Sequence, residues 1–213
     1  MLNLPVVALA VVGALWGFVA DRIAARWPAH EDGSVRAVDW RTPVSVVVGG
    51  IALALVPVRF EGDVVACLIF GVYVVALTLL LATDLDQRLL PNEITLPAIP
   101  LAFLVSALGL NPLVPPGVLP IAVVVAILVP GGLWLLARPF GAGAIGQGDL
   151  KLLVSVGLLA GPLRMFSGVV YGALLAGVVI IVLLALRRIT LKTFIPFGPF
   201  LIIGALWAVL VLR

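Results

Sequence analysis

This chain of 213 residues contains ten acidic residues, few enough to consider individually. Four of them stand at or beside the ends of long apolar stretches, where an ionisable side chain is costly and is usually paired or functional. These four are Asp84, Asp86, Glu93 and Asp149. The other six fall in polar connecting segments, and we expect them to be solvated loop charges: Asp21, Glu31, Asp32, Asp39, Glu61 and Asp63.

Asp84 and Asp149 could form a catalytic pair. Asp84 ends one apolar stretch, Asp149 begins another, and both are predicted on the same face of a membrane. Two neighbouring carboxyl groups cannot both ionise cheaply, so one keeps its proton while the other is charged. The charged group can take a proton from an attacking water, while the protonated group donates to a peptide carbonyl. Whether the two groups meet in space is not decided by the sequence.

A structural role remains open for both aspartates. A carboxylate at the start of a helix, as predicted for Asp149, is favoured by the helix dipole and the free N–H groups. The two groups could also balance Arg88 and Lys151. Against this, the glycine-rich segment 141–148 precedes Asp149, and glycines let an extended peptide approach closely. A phosphate-binding loop would need a following Lys-Ser/Thr and an upstream strand, which the sequence lacks.

Other catalytic classes lack the necessary residues. The one histidine, His30, falls in a polar loop, where we expect a solvated side chain rather than part of a Ser-His or Cys-His pair. The one cysteine, Cys67, lies in an apolar run and can form neither an internal disulfide nor a cysteine-based metal site. We therefore predict no bound metal and no cofactor.

The composition indicates that lipid is the solvent. Apolar residues make up 63% of the chain and charged residues 11%, and the mean hydropathy is +1.31. A soluble domain has about half apolar and a quarter charged residues. The net charge of +3 then reflects orientation in the bilayer rather than nucleic-acid binding, so no nucleic-acid partner is expected.

We predict an all-α, polytopic membrane protein with about eight transmembrane helices, because a span needs roughly 20 apolar residues and lipid satisfies no backbone hydrogen bonds. The predicted spans are Leu4–Ala20, Pro43–Val58, Val64–Thr83, Ile94–Leu110, Gly117–Ala137, Leu150–Ala160, Phe166–Leu186 and Phe194–Leu212. Residues 1–213 form one membrane-embedded domain: 1–43 are the first span and a short loop, and 44–213 are the core with both Asp motifs. Gly13 and Gly17 predict close helix packing in the first span.

The basic residues predict the orientation. With eight spans, one side carries ten of the 13 basic residues: Arg22, Arg26, Arg36, Arg41, Arg88, Arg138, Lys151, Arg187, Arg188 and Lys192. The positive-inside rule makes this side cytoplasmic and places both termini outside. The sixth span is short and could be re-entrant. A re-entrant segment would move Arg187, Arg188 and Lys192 outside, so a full crossing is favoured.

Three segments carry recognisable motifs. Residues 84–97, DLDQRLLPNEITLP, contain an Asp ahead of an L-P-D/N-x-L/I-T-x-P pattern. Residues 146–152, GQGDLKL, contain GxGD followed by a hydrophobic residue, Lys and Leu, and residues 195–201 read IPFGPFL. In this order the three motifs resemble those of the type IV prepilin peptidases, which are GxGD aspartic membrane proteases. The resemblance covers the chain from about the third span onward.

The resemblance implies a cytoplasm-facing catalytic pair of Asp84 and Asp149. It selects Asp84 over Asp86 because the family's catalytic Asp stands seven residues before the motif proline, here Pro91. It implies that the following residues support the motifs or the substrate: Gly146, Gly148, Lys151, Arg88, Pro91 and Asp86. The implied partners are the bilayer of a bacterial cytoplasmic membrane and a prepilin or pseudopilin. Its short basic leader would be cut ahead of an apolar helix.

The chain departs from the family pattern after the first span. Many members carry there a larger cytoplasmic loop with two Cys-x-x-Cys pairs, which bind zinc and accompany N-methylation of the new pilin terminus. Here the loop is short and has no cysteine. We expect no zinc, place methyl transfer in doubt, and predict a compact peptidase.

Two alternatives remain. Another GxGD protease, acting on preflagellins or signal peptides, would fit the short loop, whereas Pro91, Thr95 and Pro97 favour the prepilin form. A small ion transporter would need polar residues deep within several spans. The predicted spans are almost purely apolar, which counts against a transporter.

Overall fold

A computed structural model describes residues 4–29, 33–140, 145–190 and 196–212. These residues form eight α-helices and one 3-10 turn, Arg138–Phe140, and they contain no β-strand. The helices are α1 (Leu4–Ala24), α2 (Arg41–Arg59), α3 (Val64–Gln87), α4 (Asn92–Ala107), α5 (Leu119–Ala137), α6 (Gln147–Ala160), α7 (Pro162–Ala185) and α8 (Gly198–Leu210). Each helix overlaps one predicted span, so the all-α class is confirmed.

The helices have the lengths and surfaces of membrane spans. Five of them, α1, α2, α3, α5 and α7, are long and apolar enough to cross a bilayer, and α4 and α8 are shorter apolar helices. Large apolar side chains face outwards, among them Leu68, Leu128 and Ile181, each at least 65% exposed. An aqueous surface would not carry so many exposed aliphatic side chains. The chain is therefore a polytopic helical membrane protein.

The short α6 extends as far across the bundle as α4. Near the start of both helices, Lys151 Nζ donates to Asn92 Oδ1 at 2.7 Å. Near their ends, Ser106 Oγ donates to the Leu158 carbonyl at 3.0 Å. The chain then turns at Gly161, whose φ is 84°, directly into α7. These contacts agree with a sixth segment that crosses rather than one that turns back.

The bundle has two ends, which we call the Asp84 end and the Arg59 end. At the Arg59 end, Arg59 Nε donates to the Val209 carbonyl at 3.3 Å, which joins the end of α2 to the end of α8. Leu4, at the start of α1, lies beside Asp63 at the start of α3. The start of α1 and the end of α8 therefore share the Arg59 end, and Asp84 lies at the other.

Small residues let neighbouring helices pack closely. A β-carbon on Gly13 would lie 2.8 Å from the carbonyl carbon of Gly49, and Gly17 meets α2 in the same way. The predicted close packing of the first span is thus confirmed, and its partner is α2 of the same chain. The same device joins α7 to α8, where a β-carbon on Gly168 would lie 2.8 Å from the Gly204 carbonyl oxygen.

Candidate active site

A cavity of about 680 Å³ opens at the Asp84 end, and we call it the dyad cavity. All three sequence motifs contribute to its walls, together with one residue from the connection between α1 and α2. The lining residues are Pro28, Asp84, Lys151 and residues 88–93, 145–149 and 196–198. Motifs that lie more than 100 residues apart in sequence therefore surround one space of the size that small-molecule and peptide sites have.

Asp84 and Asp149 both line this cavity and are close enough to interact electrostatically. Asp84 lies in the last turn of α3 with 4% of its surface exposed. Its Oδ2 is buried and has no hydrogen-bond partner within the described residues. Asp149 lies half-buried in the first turn of α6. The structure thus brings the two predicted carboxyl groups together.

Local backbone geometry presents Asp84 to the cavity. Arg88 has a left-handed conformation, with φ at 55°, and its N–H bonds to the Asp84 carbonyl at 2.9 Å, which ends α3. Three residues later Pro91 precedes the first turn of α4, and its carbonyl accepts from Thr95 Oγ1 at 3.1 Å. Proline is favourable at a helix start, because the N–H that proline lacks would have no acceptor within the helix at that position. Arg88 and Pro91 thus form the turn that follows Asp84.

Two glycines allow the motifs to touch. A β-carbon on Gly198, at the start of α8, would lie 2.7 Å from Asp84 Cγ. A β-carbon on Gly148 would lie 2.7 Å from Leu90 Cβ. Real β-carbons do not approach so closely, so each position admits glycine alone without movement of its neighbour. Gly198 was not among the predicted site residues, although its place in the third motif was a signal for it.

Asp149 also contributes to the start of its helix. It is the third residue after the N-cap Gly146, in the first turn of α6, where the helix dipole favours a carboxylate. A β-carbon on Gly146 would lie 3.2 Å from Asp149 Oδ2. The structural role left open by the sequence therefore coexists with a place in the cavity. Residues 141–144 of the glycine-rich segment, and Ile195 of the third motif, lie outside the described residues.

The two predicted supporting cations have different environments. Lys151 donates to Asn92 rather than pairing with Asp149, because residues two apart on a helix point to nearly opposite faces. Arg88 carries an exposed side chain at the cavity wall. Lys151 therefore links α6 to α4 while remaining beside the cavity.

Asp86 points away from the dyad cavity. It lies two residues beyond Asp84 in α3, about 200° around the helix. Its Oδ1 lies 2.7 Å from Arg36 Nε and 3.0 Å from Arg41 Nη1. Arg36 comes from the segment that joins α1 to α2, and Arg41 is the first residue of α2. We call the group that surrounds them the arginine network; it comprises Asp21, Arg22, Arg36, Asp39, Arg41 and Asp86.

The prediction that Asp21 is a solvated loop charge is wrong. Helix α1 continues four residues beyond its predicted end, to Ala24, and Asp21 within it is fully buried. Asp21 pairs with Arg22 and Arg36, and Thr42 Oγ1 donates to it at 2.7 Å. Burial alone would lower the pKa of Arg36, but the hydrogen bond and charge of Asp21 raise it overall.

The remaining loop charges have mixed outcomes. Asp39 is partly exposed and pairs with Arg36 and Arg41, whereas Asp63 accepts from the Ala66 N–H at 2.8 Å as the N-cap of α3. His30, Glu31 and Asp32 lie outside the described residues.

The connection between α1 and α2 reaches the cavity through Pro28. Gln87 Nε2, at the end of α3, donates to the Pro28 carbonyl at 2.6 Å. The described parts of this connection, residues 25–29 and 33–40, are irregular. Neither Gln87 nor Pro28 was predicted at the site, because a contact between a loop and a helix 59 residues away has no local sequence signal.

Most buried hydroxyl groups inside the bundle have hydrogen-bond partners, although Ser45 Oγ has none within the described residues. Thr78 Oγ1 donates to the Val74 carbonyl at 2.8 Å, and Ser155 Oγ lies 3.0 Å from Tyr73 Oη. Within the described residues the buried acidic side chains are Asp21, Asp84 and Asp86, all at one end of the bundle. An ion path would need ionisable groups through the bilayer interior, which this arrangement does not provide.

The chain is similar to known proteins over this same region. The sequence pattern of the type IV leader peptidase family matches residues 71–185. A "Prepilin leader peptidase/N-methyltransferase" of Pseudomonas putida is 32% identical over 98% of this chain and 66% of its own length. A relative of the same name from Dickeya chrysanthemi is 30% identical over 82% of this chain and 61% of its own length.

A third relative of that name, from Stutzerimonas stutzeri, is 32% identical over 60% of this chain and 43% of its own length. The chain thus spans between about four tenths and two thirds of the length of these relatives. No solved structure matches it. The residues matched by the family pattern include Asp84, Asp149 and the walls that α4 and α6 contribute to the dyad cavity. The chain belongs to the type IV leader peptidase family.

Proposed function

We propose that this protein is a membrane aspartic endopeptidase that removes the short N-terminal leader of type IV prepilins or pseudopilins. One observation carries the proposal: Asp84 and Asp149, each from a different motif, face one cavity, and within the described residues neither forms an ion pair. Family membership and the names of the relatives support the same activity.

The surroundings of the two carboxyl groups assign them different roles. Asp149 lies in the first turn of α6, where the helix dipole stabilises negative charge, so Asp149 is the general base. Asp84 is buried and its Oδ2 has no donor within the described residues, so it holds the shared proton and is the general acid.

Hydrolysis then needs only these groups and a water. Asp149 accepts a proton from water as the water oxygen attacks the scissile carbonyl carbon, and Asp84 donates its proton to the carbonyl oxygen. The tetrahedral intermediate collapses when its C–N bond breaks and the proton on Asp149 passes to the departing amine. The carbonyl reforms as one hydroxyl proton returns to Asp84, which leaves a carboxylic acid and an amine.

We propose that the Asp84 end faces the cytoplasm of a bacterial inner membrane. Nine described basic residues lie at or near this end: Arg22, Arg26, Arg36, Arg41, Arg88, Arg138, Lys151, Arg187 and Arg188. At the other end the described basic residues are Arg59 and Arg164. The positive-inside rule favours this orientation, and a basic leader synthesised in the cytoplasm would then meet the dyad directly.

Cleavage of a leader-bearing prepilin by the purified protein in liposomes tests the activity. The rate should pass through a maximum with pH, because below it both carboxyl groups are protonated and no base remains, and above it both are ionised and no acid remains. No cleavage by protein that is folded, or a rate that does not vary between about pH 4 and 9, would contradict the proposal.

We further propose that the chain lacks N-methyltransferase activity. The segment between α1 and α2 contains no cysteine, so it cannot supply the zinc-binding pairs that accompany methylation in the resembled family. Transfer of a labelled methyl group from S-adenosylmethionine to the cleaved product would overturn this second proposal without affecting the first.

A further inference from the structure

An apolar groove of about 530 Å³ lies on the lipid-facing side between α3 and α4, and we call it the α3–α4 groove. Each helix lines it with a single face, because the lining residues recur every four residues or so. They include Leu68, Val72 and Tyr73 of α3 and Glu93, Ala98 and Leu101 of α4.

The groove exists because α3 and α4 are separated by α6. Although α4 follows α3 directly in sequence, it packs mainly against α6. The hydrogen bond between Tyr73 Oη and Ser155 Oγ ties α3 to the same helix. Leu159 of α6 forms part of the floor. Residues of three helices, α3, α4 and α6, therefore border the gap.

The groove lies next to the dyad cavity. Glu93 lines both spaces. From Glu93 the α4 wall extends 12 residues to Val105, which is about 18 Å of helix. Pro97 has no N–H to donate to the Glu93 carbonyl, so the α4 backbone offers an acceptor at this junction. An extended peptide in the cavity could use that acceptor, and a helix could continue from it along the groove.

We propose that the α3–α4 groove holds the apolar helix of the substrate while the leader occupies the dyad cavity. This inference rests on the proposed function. The groove wall is apolar apart from Glu93 at its junction with the cavity, which matches a substrate that is charged before the cleavage site and apolar after it. Docking here places the start of the substrate helix beside Asp84 and Asp149, where its first peptide bonds must be extended for attack.

Cysteine cross-linking tests the location. In a Cys67→Ser protein inactivated by Asp149→Asn, Leu101→Cys places a thiol in the groove, where Leu101 is 58% exposed. The matched control is Leu128→Cys on α5, which is 65% exposed. Each position lies nine residues from the Asp84 end of its helix, because α4 starts at Asn92 and α5 ends at Ala137.

The substrate is a prepilin with one cysteine in its apolar helix, and a mild oxidant is added. The yield of the disulfide-linked product should be at least about tenfold higher with Leu101→Cys than with Leu128→Cys, because proximity raises the effective concentration. Equal yields at both sites overturn the inference, and so does the absence of any cross-link. A disulfide between two Leu101→Cys molecules in place of the substrate adduct would show a second copy in the groove, which also overturns it.

Filling the groove tests its contribution to cleavage. Ala98→Phe should raise the KM for full prepilin by about tenfold. For a short peptide that carries the leader and cleavage site but lacks the apolar helix, Ala98→Phe should have the same KM as the unmodified protein. Ala173→Phe, on the exposed surface of α7, is the control for bulk. Equal effects of Ala98→Phe on both substrates would contradict the inference that the groove holds the substrate helix. Failure of the unmodified protein to cleave either substrate would instead contradict the proposed function.

Discussion

Asp84 and Asp86 stand two residues apart at the end of α3 and have opposite surroundings. Asp86 is held between Arg36 and Arg41, within a network that ties the connection between α1 and α2 to the bundle. Asp84 faces the dyad cavity with Asp149, and its Oδ2 has no hydrogen-bond partner within the described residues. The last turn of α3 thus carries Asp86, which has arginine partners, on one face. On the opposite face it carries Asp84, which forms no ion pair within the described residues.

We propose that this difference separates a structural acid from a catalytic one. A buried carboxylate beside two guanidinium groups offsets part of their charge, and its removal weakens the network that holds them. A buried carboxyl group without such partners is a net cost to the fold, and proteins retain such groups where they act in chemistry. Asp86 should therefore matter for stability and Asp84 for reaction rate.

The largest effect should come from the dyad itself. Asp84→Asn or Asp149→Asn removes the acid or the base, and each should lower the rate of prepilin cleavage by about 10²–10⁴-fold. Initial rates in liposomes measure this, and thermal unfolding in detergent serves as the control, because Asp84→Asn should leave stability unchanged or raise it. Full cleavage by either variant would remove that aspartate from the catalytic site.

The next effect should come from the contact between α8 and Asp84. Gly198→Ala places a β-carbon only 2.7 Å from Asp84 Cγ, so the carboxyl group must move. A shift of about 1 Å can cost about 10²-fold in rate. Gly177→Ala is the matched control, since a β-carbon there meets no atom within 4 Å. Equal rates for the two variants would show that Asp84 does not need its present position.

Asp86→Asn should mainly lower stability, whereas Asp84→Asn should mainly lower the cleavage rate. The Asp86→Asn change removes one of the two carboxylates that Arg36 and Arg41 share and should lower the free energy of unfolding by about 2–3 kcal/mol. This is less than for fully buried pairs, because both arginines touch solvent and keep Asp39 as a partner. Cleavage should fall by less than about tenfold at a temperature where the variant is folded. A loss as large as that of Asp84→Asn, measured beside unchanged thermal unfolding, would reverse the assignment of the two aspartates.

The smallest effect should come from Lys151→Gln. The ammonium group donates to Asn92 at the cavity wall, and exposed charged contacts contribute about 0–1 kcal/mol, so KM should change by no more than about fivefold. Steady-state kinetics with full prepilin measures this change. A loss of 10²-fold or more in kcat would instead place Lys151 among the groups that touch the reacting atoms.

The fold could be predicted because its helices follow from local composition. Each long apolar run became one helix, and errors arose only at the ends. Helix α7 begins at Pro162 rather than at the predicted Phe166, because proline suits the first helical turn. Helix α1 continues to Ala24, because Asp21 finds buried partners that let the helix proceed beyond the apolar run.

The site could be predicted only in part. Asp84, Asp149 and the glycines near them lie in contiguous motifs, which a single sequence displays. The partners of Asp86 and Asp21 could not be found in this way, because Arg36, Arg41 and Thr42 come from other segments, and nothing local distinguishes a paired aspartate from a solvated one.

The sequence alone determined that this is a helical integral membrane protein and which acidic residues stand at helix ends. It could do so because hydropathy and motif spacing are properties of neighbouring residues. The tertiary structure decided which of these acids share a cavity and which are neutralised by arginines. That choice depends on the rotation of each helix about its axis and on close glycine contacts between helices distant in the chain. Two residues of one turn can thereby acquire opposite roles.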